Sequence, residues 1–588
     1  MIFLKKKFLP FITGDSSYIL IFLILWFPYI FNIWSYSIWD SNEAYYVEGP
    51  REMLESSDVL SPRFNYEYRF EKPILSYWMV LGFYKLFNMF LFSERFAIAF
   101  FALGSIILTF TISRTLFTST EQITENKQPT ATIALPYIPL LSASAFATSF
   151  KFFTLAHRSI IDIVLTFWIL LAMHCYVKFI STRHKVFENS NNFLLKYDKG
   201  RTCYYGIFIA MALGVLTKGL LGLVVPASII LLHVIISRRF YLFKELRFYL
   251  GLLLFFAVAL PWYIYMGYAH GIEYLSFFII GNHFKLYMTG VYSLSRPFWY
   301  YIPNILGGFA PWTCFFPFMG YCLYHYYKNR QAQHNSLTFI IAWIGFILIF
   351  FSLSKGKQEE YILQIYPALS ILLAWTIHYS YQHVASAHLK KWIRITVSIA
   401  SIIFLLTGIT FYLLNKGIFT SYHHLALFPV IFILLSILMI CKFTDSEIKS
   451  TFYGVVIMVW LMYAVLIIFY LPVFEKEYKY VKYFAQTYQN TSNPDDAIGY
   501  YKVGIPSLVY YTKQKVHIFS NEDEIKNVMN QKRLFLIIDR RNFDAFDGSF
   551  REQFTIVQTQ MQFPTTFKKF LHLTKGLGAE EVVMARSK

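Results

Sequence analysis

The sequence predicts an all-α polytopic membrane protein of about thirteen transmembrane helices, followed by a small C-terminal α/β extracytoplasmic domain. Three observations predict it. Of the 588 residues, 56% are apolar and 20% aromatic, which is rare in a soluble chain of this length. The apolar runs approach or exceed the roughly 20 residues needed to cross a hydrocarbon core. Alternate loops between those runs carry the excess of Lys and Arg, the pattern that orients membrane proteins. A net charge of +19 could suggest a nucleic-acid partner. It is excluded here because the charge lies in short loops between apolar runs, where it faces anionic headgroups.

Lys5, Lys6 and Lys7 precede the first run, 17–34, and no small-residue cleavage site follows. It therefore reads as a first transmembrane helix with its N-terminus inside. Further spans fall at 96–117, 133–150, 160–180, 204–217, 220–236, 248–268, 299–323, 337–353, 362–379, 393–414, 424–440 and 453–472. With this order the inward loops hold Arg114 and Lys127, then Arg183 through Arg201, then Arg238 through Arg247, and later Lys328, Lys390 and Lys449. Counting 73–91 as a span would put every later basic loop outside, so this aromatic segment, interrupted by Lys85, is placed on the membrane surface. The five cysteines lie in or beside apolar runs without CxxC spacing and read as buried small hydrophobes.

After 472 the composition turns polar, and the tail 473–588 falls outside. Residues 516–519 and 533–539 read as strands, 522–530 as a helix and 580–585 as a last strand.

On this topology the unusual polar residues gather on the outward side. The first outward loop, about 35–95, holds Asp40, Glu43, Glu71 and Lys72. Gly49-Pro50 is expected to interrupt it, leaving 43–47 as a separate turn and starting a short helix at Pro50. The later outward loops carry Arg158 and Asp162, the Thr217-Lys218-Gly219 turn, His283 with Arg296, and Lys355 with Tyr361 in SKGKQEEY. Ionisable groups at membrane depth are costly and mark function before structure. Lysines suit phosphate as point charges, and a carboxylate within reach can take a proton from an attacking hydroxyl.

The run NEAYYVEGPREMLESSDVLSPRFNYEYRFEKPILSYW resembles the first periplasmic loop of bacterial GT-C glycosyltransferases. These include the aminoarabinose transferases that act on lipid A and the dolichyl-phosphate-mannose–protein mannosyltransferase-like proteins. The likeness continues through IIDIVLTFW, GVLTKGLLGLVVP, GNHFKLY, RPFWYYIP and SKGKQEEYIL, covering about residues 37–370.

The resemblance implies a GT-C fold and a polyprenyl-phosphate-linked sugar as donor. It implies inversion at the anomeric carbon and a periplasmic site on the bacterial inner membrane among membrane lipids, with the acceptor open between a lipid A-like glycolipid, a protein hydroxyl and a surface polysaccharide. Lys72 and Tyr361 match positions at the donor phosphate, with Lys218 and Lys355 assisting; apart from the resemblance, Arg158 and Arg296 read as supporting residues that pair with carboxylates or bind headgroups. Glu71 and His283 match positions that hold a divalent metal in some relatives, and no other cofactor is implied. Asp162 matches the second acidic residue of the family. Where the aminoarabinose transferases have Asp-Glu, this chain has Asn42-Glu43, so Asp40 or Glu43 takes the base's role. The alternative class is a transporter or flippase for a lipid-linked sugar, which would place paired repeats and ionisable groups at mid-membrane.

Overall fold

The computed structural model describes residues 15–38, 42–88, 90–118, 137–158, 160–189, 200–240, 247–276, 296–329, 335–383, 386–417, 448–562 and 580–588, with short pieces between 278 and 288 and between 422 and 434. Asp40 and His283 lie outside the described residues, as does most of the expected span 424–440.

The architecture is an all-α membrane bundle carrying a small C-terminal α/β unit. Among the described residues seven helices are long and apolar enough to cross a membrane, or eight if the bent pair Tyr137–Ala147 and Phe150–His157 counts as one span. Tyr18–Ile30 and Leu221–Ile236 are shorter apolar helices of the same bundle. One continuous apolar core runs through these elements, from Leu25 to Val473. The segment 73–91 contains a helix of 13 residues, Leu75–Phe87, too short to cross. Ser76, Tyr77, Val80, Leu81 and Tyr84 form its buried face, at the i, i+4, i+8 spacing of a helix lying on a surface.

Two expectations need correction. Residues 299–323 are not one helix. The helix Tyr301–Gly308 is followed by a 3-10 turn, Trp312–Phe315, and then by the helix Phe316–Lys328. Pro311 has no N–H to donate and its ring opposes the carbonyl four residues back, so the helix stops there. The last apolar run, expected at 453–472, does form a membrane-length helix, Phe452–Lys476, with one irregular turn. It widens to a π-turn at Leu466–Tyr470, just before Pro472, where the same clash must be relieved. Conversely, Gly49-Pro50 does not interrupt its helix, which runs unbroken from Asn42 to Glu55.

Ten residues of that helix are buried, and packing holds a geometry that the local sequence disfavours. Gly49 is needed for this. A Cβ there would lie 2.8 Å from the Arg63 carbonyl oxygen and 2.9 Å from the Tyr77 ring. Arg51 braces the same helix, with Glu48 at 2.6 Å and Glu55 at 2.8 Å.

Beyond this helix the chain makes a two-stranded ribbon, β1 (Arg63–Phe64) and β2 (Glu67–Tyr68). Asn65 and Tyr66 at its tip both have positive φ, 58° and 62°, as a type I′ turn requires. The Glu52 carboxylate accepts the backbone N–H groups of both, at 2.8 Å each.

The C-terminal unit is a five-stranded sheet in the order β4-β3-β5-β7-β6, with β3 at Ala497–Tyr501, β4 at His517–Phe519, β5 at Leu534–Asp539, β6 at Phe554–Gln562 and β7 at Glu580–Ser587. The first three are mutually parallel and β7 runs antiparallel to both of its neighbours. Side chains alternate across it, as the strand period of two demands. Ile498, Tyr500, Phe535 and Ile537 pack toward the helix Tyr480–Thr491. Ala497, Tyr501, Leu534, Leu536 and Ile538 face the side covered by Ile525, Phe543 and Phe550.

The helices Arg201–Lys218 and Leu221–Ile236 form a hairpin whose turn carries Lys218. Gly219 closes the first helix with φ +78°, a conformation that favours glycine. Gly214 and Gly222 let the two backbones meet, since a Cβ on Gly222 would lie 2.1 Å from the Gly214 carbonyl carbon. Gly222→Ala is expected to force these helices apart at a cost of about 1–3 kcal/mol. A clear fall in the thermal unfolding midpoint in detergent would follow, and an unchanged midpoint would contradict this packing.

Candidate functional site

Lys218 and Asp162 form the centre of the site. Asp162 opens the helix Asp162–Asn189 and Lys218 ends the helix Arg201–Lys218, which packs alongside it. The Lys218 ammonium donates to both Asp162 carboxylate oxygens, at 2.6 and 2.5 Å, and both side chains are nearly inaccessible. Two desolvated ions at this distance stabilise each other, whereas either alone would be costly. Lys218 also lies over the Tyr361 ring, 5.2 Å from its centroid. Glu360, one residue earlier, is close enough to feel the charges of both Asp162 and Lys218.

Lys72 joins this group from the first loop. It is half-buried and makes no hydrogen bond or ion pair with any described residue. Burial, the nearby charge of Lys218 and then that of Arg69 lower its ammonium to about 8, against the opposite pull of Glu71 and Asp162. The site therefore brings together Lys72, Lys218, Asp162, Glu360 and Tyr361, with one cation whose charge no described carboxylate neutralises by contact.

A second group lies on the other side of the 3-10 turn Glu359–Ile362. Glu359 pairs with Lys151 at 2.6 Å and with Arg158 at 3.5 Å. Arg296 also acts on this carboxylate and stacks against Tyr300, 4.5 Å from the ring centroid. The structure thus places Arg158 and Arg296 together, but around Glu359 and not in direct contact with Lys218. Lys355 is exposed on the same loop, while Lys357 is buried and donates to the Ser354 carbonyl.

Glu43 is taken up by Arg95, which donates from Nε at 2.5 Å, and both groups are fully buried. The two remaining Arg95 nitrogens donate to the carbonyls of Ile33 at 2.6 Å, Tyr36 at 2.8 Å and Ser37 at 3.0 Å. Its guanidinium also stacks 3.8 Å from the Tyr36 ring centroid. One side chain thereby fixes the chain on both sides of residues 39–41.

Glu71 is exposed and paired with Arg69, whose guanidinium stacks 3.9 Å from the Tyr45 ring centroid. A carboxylate held by a guanidinium suits an ion pair better than a divalent metal. Among the described residues no three His, Cys, Asp or Glu side chains form a metal-ligand group.

Beside the hairpin lies an apolar cavity of about 640 Å³, between the helices Arg201–Lys218, Leu221–Ile236 and Arg247–His270. Its lining runs from Tyr204 and Phe248 to Val215, Leu220 and Tyr263. Val215 and Leu220 flank Lys218 in sequence, so one end of the cavity is beside the charged group. From Tyr204 to Val215 it follows the helix for about 16 Å.

Sequence reasoning missed Arg95, Lys151 and Arg69. Arg95 follows Ser93-Glu94 just before a run read as starting at 96, and Lys151 directly follows a run read as ending at 150. The cost of charge near an apolar run would have flagged both had the boundaries been drawn a residue wider.

Residues 132–275 match the family model described as dolichyl-phosphate-mannose-protein mannosyltransferase. The chain is 28% identical over 421 residues to a protein of Aquifex aeolicus, covering 71% of this chain and 73% of that one. It is 28% identical over 366 residues to undecaprenyl phosphate-alpha-4-amino-4-deoxy-L-arabinose arabinosyl transferase 1 of Proteus mirabilis, covering 62% and 59%. To the transferase of the same name from Aeromonas hydrophila it is 30% identical over 353 residues, covering 60% and 58%. The match thus spans less than two thirds of either transferase. In fold it is similar to crystal structures of ArnT from Cupriavidus metallidurans. The structure with undecaprenyl phosphate bound superposes with a TM-score of 0.73 at 18% identity, covering 97% of this chain and 98% of that one. The apo structure gives a TM-score of 0.71.

Arg95→Met would leave Glu43 a buried charge without its guanidinium and orphan three carbonyls. A loss of about 3–5 kcal/mol is expected. Arg95→Lys is expected to recover only part of it, because an ammonium lacks the planar fork that spans these acceptors. Thermal unfolding of the two variants checks this, and equal stability of wild type and Arg95→Met would contradict it.

Proposed function

We propose that this GT-C-type membrane protein, which resembles the aminoarabinose transferases in sequence and fold, is an integral membrane glycosyltransferase. It moves a sugar from a polyprenyl-phosphate donor to an acceptor on the extracytoplasmic side. Its site and its C-terminal domain, residues 473–588, lie on the periplasmic face of the bacterial inner membrane. The observation that carries this reading is Lys72, a half-buried ammonium without an ion-pair partner among the described residues, beside the Asp162–Lys218 pair. Such a group is ready for an anion brought by a ligand. The apolar cavity that ends beside Lys218 suits the polyprenyl chain attached to that anion.

In the proposed reaction the acceptor hydroxyl attacks the anomeric carbon from the face opposite the phosphate, which inverts the centre. The carbon–oxygen bond to phosphate breaks and the polyprenyl phosphate leaves with the electron pair. Lys72 stabilises the charge that grows on it, assisted by Lys218 and Lys355, with Tyr361 beside the phosphate. Asp40 takes the acceptor's proton. Glu43, held by Arg95, fixes the loop that carries Asp40. Asp162 orients Lys218, which aligns the ammonium in a medium where a misplaced charge is costly. Arg158 and Arg296 hold the Glu359 turn on which Tyr361 sits. The acceptor is a glycolipid of the lipid A kind, a protein hydroxyl or a surface polysaccharide.

Lys72→Ala is expected to lower transfer at least a hundredfold while the protein inserts and unfolds at the wild-type temperature. Polyprenyl-phosphate release, followed by mass spectrometry over a panel of undecaprenyl-phosphate sugars, reads the effect. Normal release by the variant would overturn the phosphate grip.

A pH dependence follows from the same lysine. Below about 8 its ammonium is charged and binds phosphate. Above that value the free site loses the proton, so affinity for undecaprenyl phosphate is expected to fall by about tenfold per pH unit. Binding that stays flat between pH 7.5 and 9.5 would contradict the role given to Lys72.

A further inference from the structure

We propose that Lys151 and Glu359 are positioning residues for Tyr361, an ion-pair latch that sets the tyrosine ring over the Lys218 ammonium. This rests on the reading of Lys218 and Tyr361 at the donor phosphate.

Lys151 is the second residue of the helix Phe150–His157 and is buried. A lysine in that position is costly unless its charge is met. Glu359 Oε2 meets it at 2.6 Å. Arg158 caps the C-terminus of the same helix, and its Nη1 reaches Oε1 of the same carboxylate at 3.5 Å. Lys151 and Arg158 are seven residues apart, two helical turns, so they share a face about 10 Å from end to end. One carboxylate thus takes a side chain from each end of that face. The two holds are unequal. Lys151 is close and nearly inaccessible, whereas the Arg158 pair is longer and open to solvent, where such pairs are worth little.

Glu359 opens the 3-10 turn Glu359–Ile362, and Tyr361 is its third residue. A single 3-10 turn has few hydrogen bonds of its own. The Tyr301 hydroxyl steadies its entry by donating to the Gln358 carbonyl at 3.1 Å. The Tyr361 ring lies with its centroid 5.2 Å from the Lys218 ammonium and 5.8 Å from the Phe351 ring. Lys218 is itself held by Asp162, which starts the helix that follows Arg158. The two helices are tied at their junction, where the Ile160 N–H donates to the Leu155 carbonyl at 3.1 Å and the Ile163 N–H to the Ile160 carbonyl at 3.0 Å. This helix pair therefore grips both partners. Lys151 at one end holds the turn of Tyr361, and Asp162 at the other holds Lys218. The spacing of ring and ammonium follows from that shared frame. A cation interacts with a ring face out to about 6 Å, so a shift of the turn by about 1 Å is enough to lose the contact.

Lys151→Met keeps the length of the side chain and removes its charge. It is expected to raise hydrogen exchange in the peptide covering 358–366 and to weaken binding of undecaprenyl phosphate about tenfold, as Tyr361→Phe is also expected to do. Lys151→Arg, which still reaches the carboxylate, should keep the affinity within about threefold. If Lys151 acts through Tyr361, adding Lys151→Met to Tyr361→Phe should cost no more than about twofold beyond Tyr361→Phe alone. General loosening of the fold would instead weaken the double variant by the full product of the two losses. Should Lys151→Met not insert, Glu359→Gln, which removes the other charge of the pair, carries the same cycle. Wild-type affinity in the single variant, or losses that multiply in the double variant, would overturn the proposal. Lys72→Ala separates this from the underlying reading. If it loses undecaprenyl phosphate while Tyr361→Phe binds as the wild type does, the donor site stands and the proposal falls. If Lys72→Ala and Tyr361→Phe both bind normally, the donor reading itself has failed.

Discussion

A lysine buried at the edge of an apolar bundle must be paired, and the pairing of Lys218 with Asp162 organises the rest of the site. Both ends of that pair are fixed by backbone, one at a helix start and one at a helix end closed by Gly219. The turn can exist there because Gly214 and Gly222 bring two helices into backbone contact. With Lys218 neutralised by Asp162, Lys72 stands beside them as a cation without an ion-pair partner among the described residues. Among the described residues the two neighbouring lysines thus differ, one paired and one not, and the proposed anion site rests on that asymmetry.

Between its helices and ribbon, the loop bearing Lys72 has irregular stretches whose hydrogen bonds are supplied by side chains. Arg95 serves three carbonyls and one carboxylate, Glu52 serves the N–H groups of the ribbon tip, and Glu475 and Tyr511 serve the approach to residues 39–41. Each donor or acceptor is anchored in a helix. Irregular stretches held in this way can present charged groups at fixed spacing without being helix or strand themselves.

Much of the bundle was legible because hydropathy and loop charge are local properties. Runs such as 248–268, 337–353 and 393–414 needed nothing beyond their own composition, and helices cover all three. The strands 516–519 and 533–539 and the helix 522–530 were readable from period and propensity, and appear within a residue or two. Failures came where a local rule met tertiary packing. Pro50 should break a helix, yet ten buried residues hold the helix through it. Residues 299–323 have the hydropathy of a span, but Pro311 divides them. Asp162 and Lys218 stood out individually as ionic groups beside apolar runs. That they pair, 56 residues apart, could not be read from either one. Arg95 and Lys151 were lost to boundaries drawn one residue too tight, and the partners of Glu43 and Ser37 come from 52 and 438 residues away.

The most direct test of the phosphate grip is a cryo-EM structure of the protein in a lipid nanodisc with undecaprenyl phosphate. The phosphate group is expected within about 4 Å of the Lys72 ammonium, the distance of an ion pair, with the polyprenyl chain entering the cavity beside Val215 and Leu220. A phosphate bound elsewhere on the rim, with Lys72 still unpaired, would contradict it.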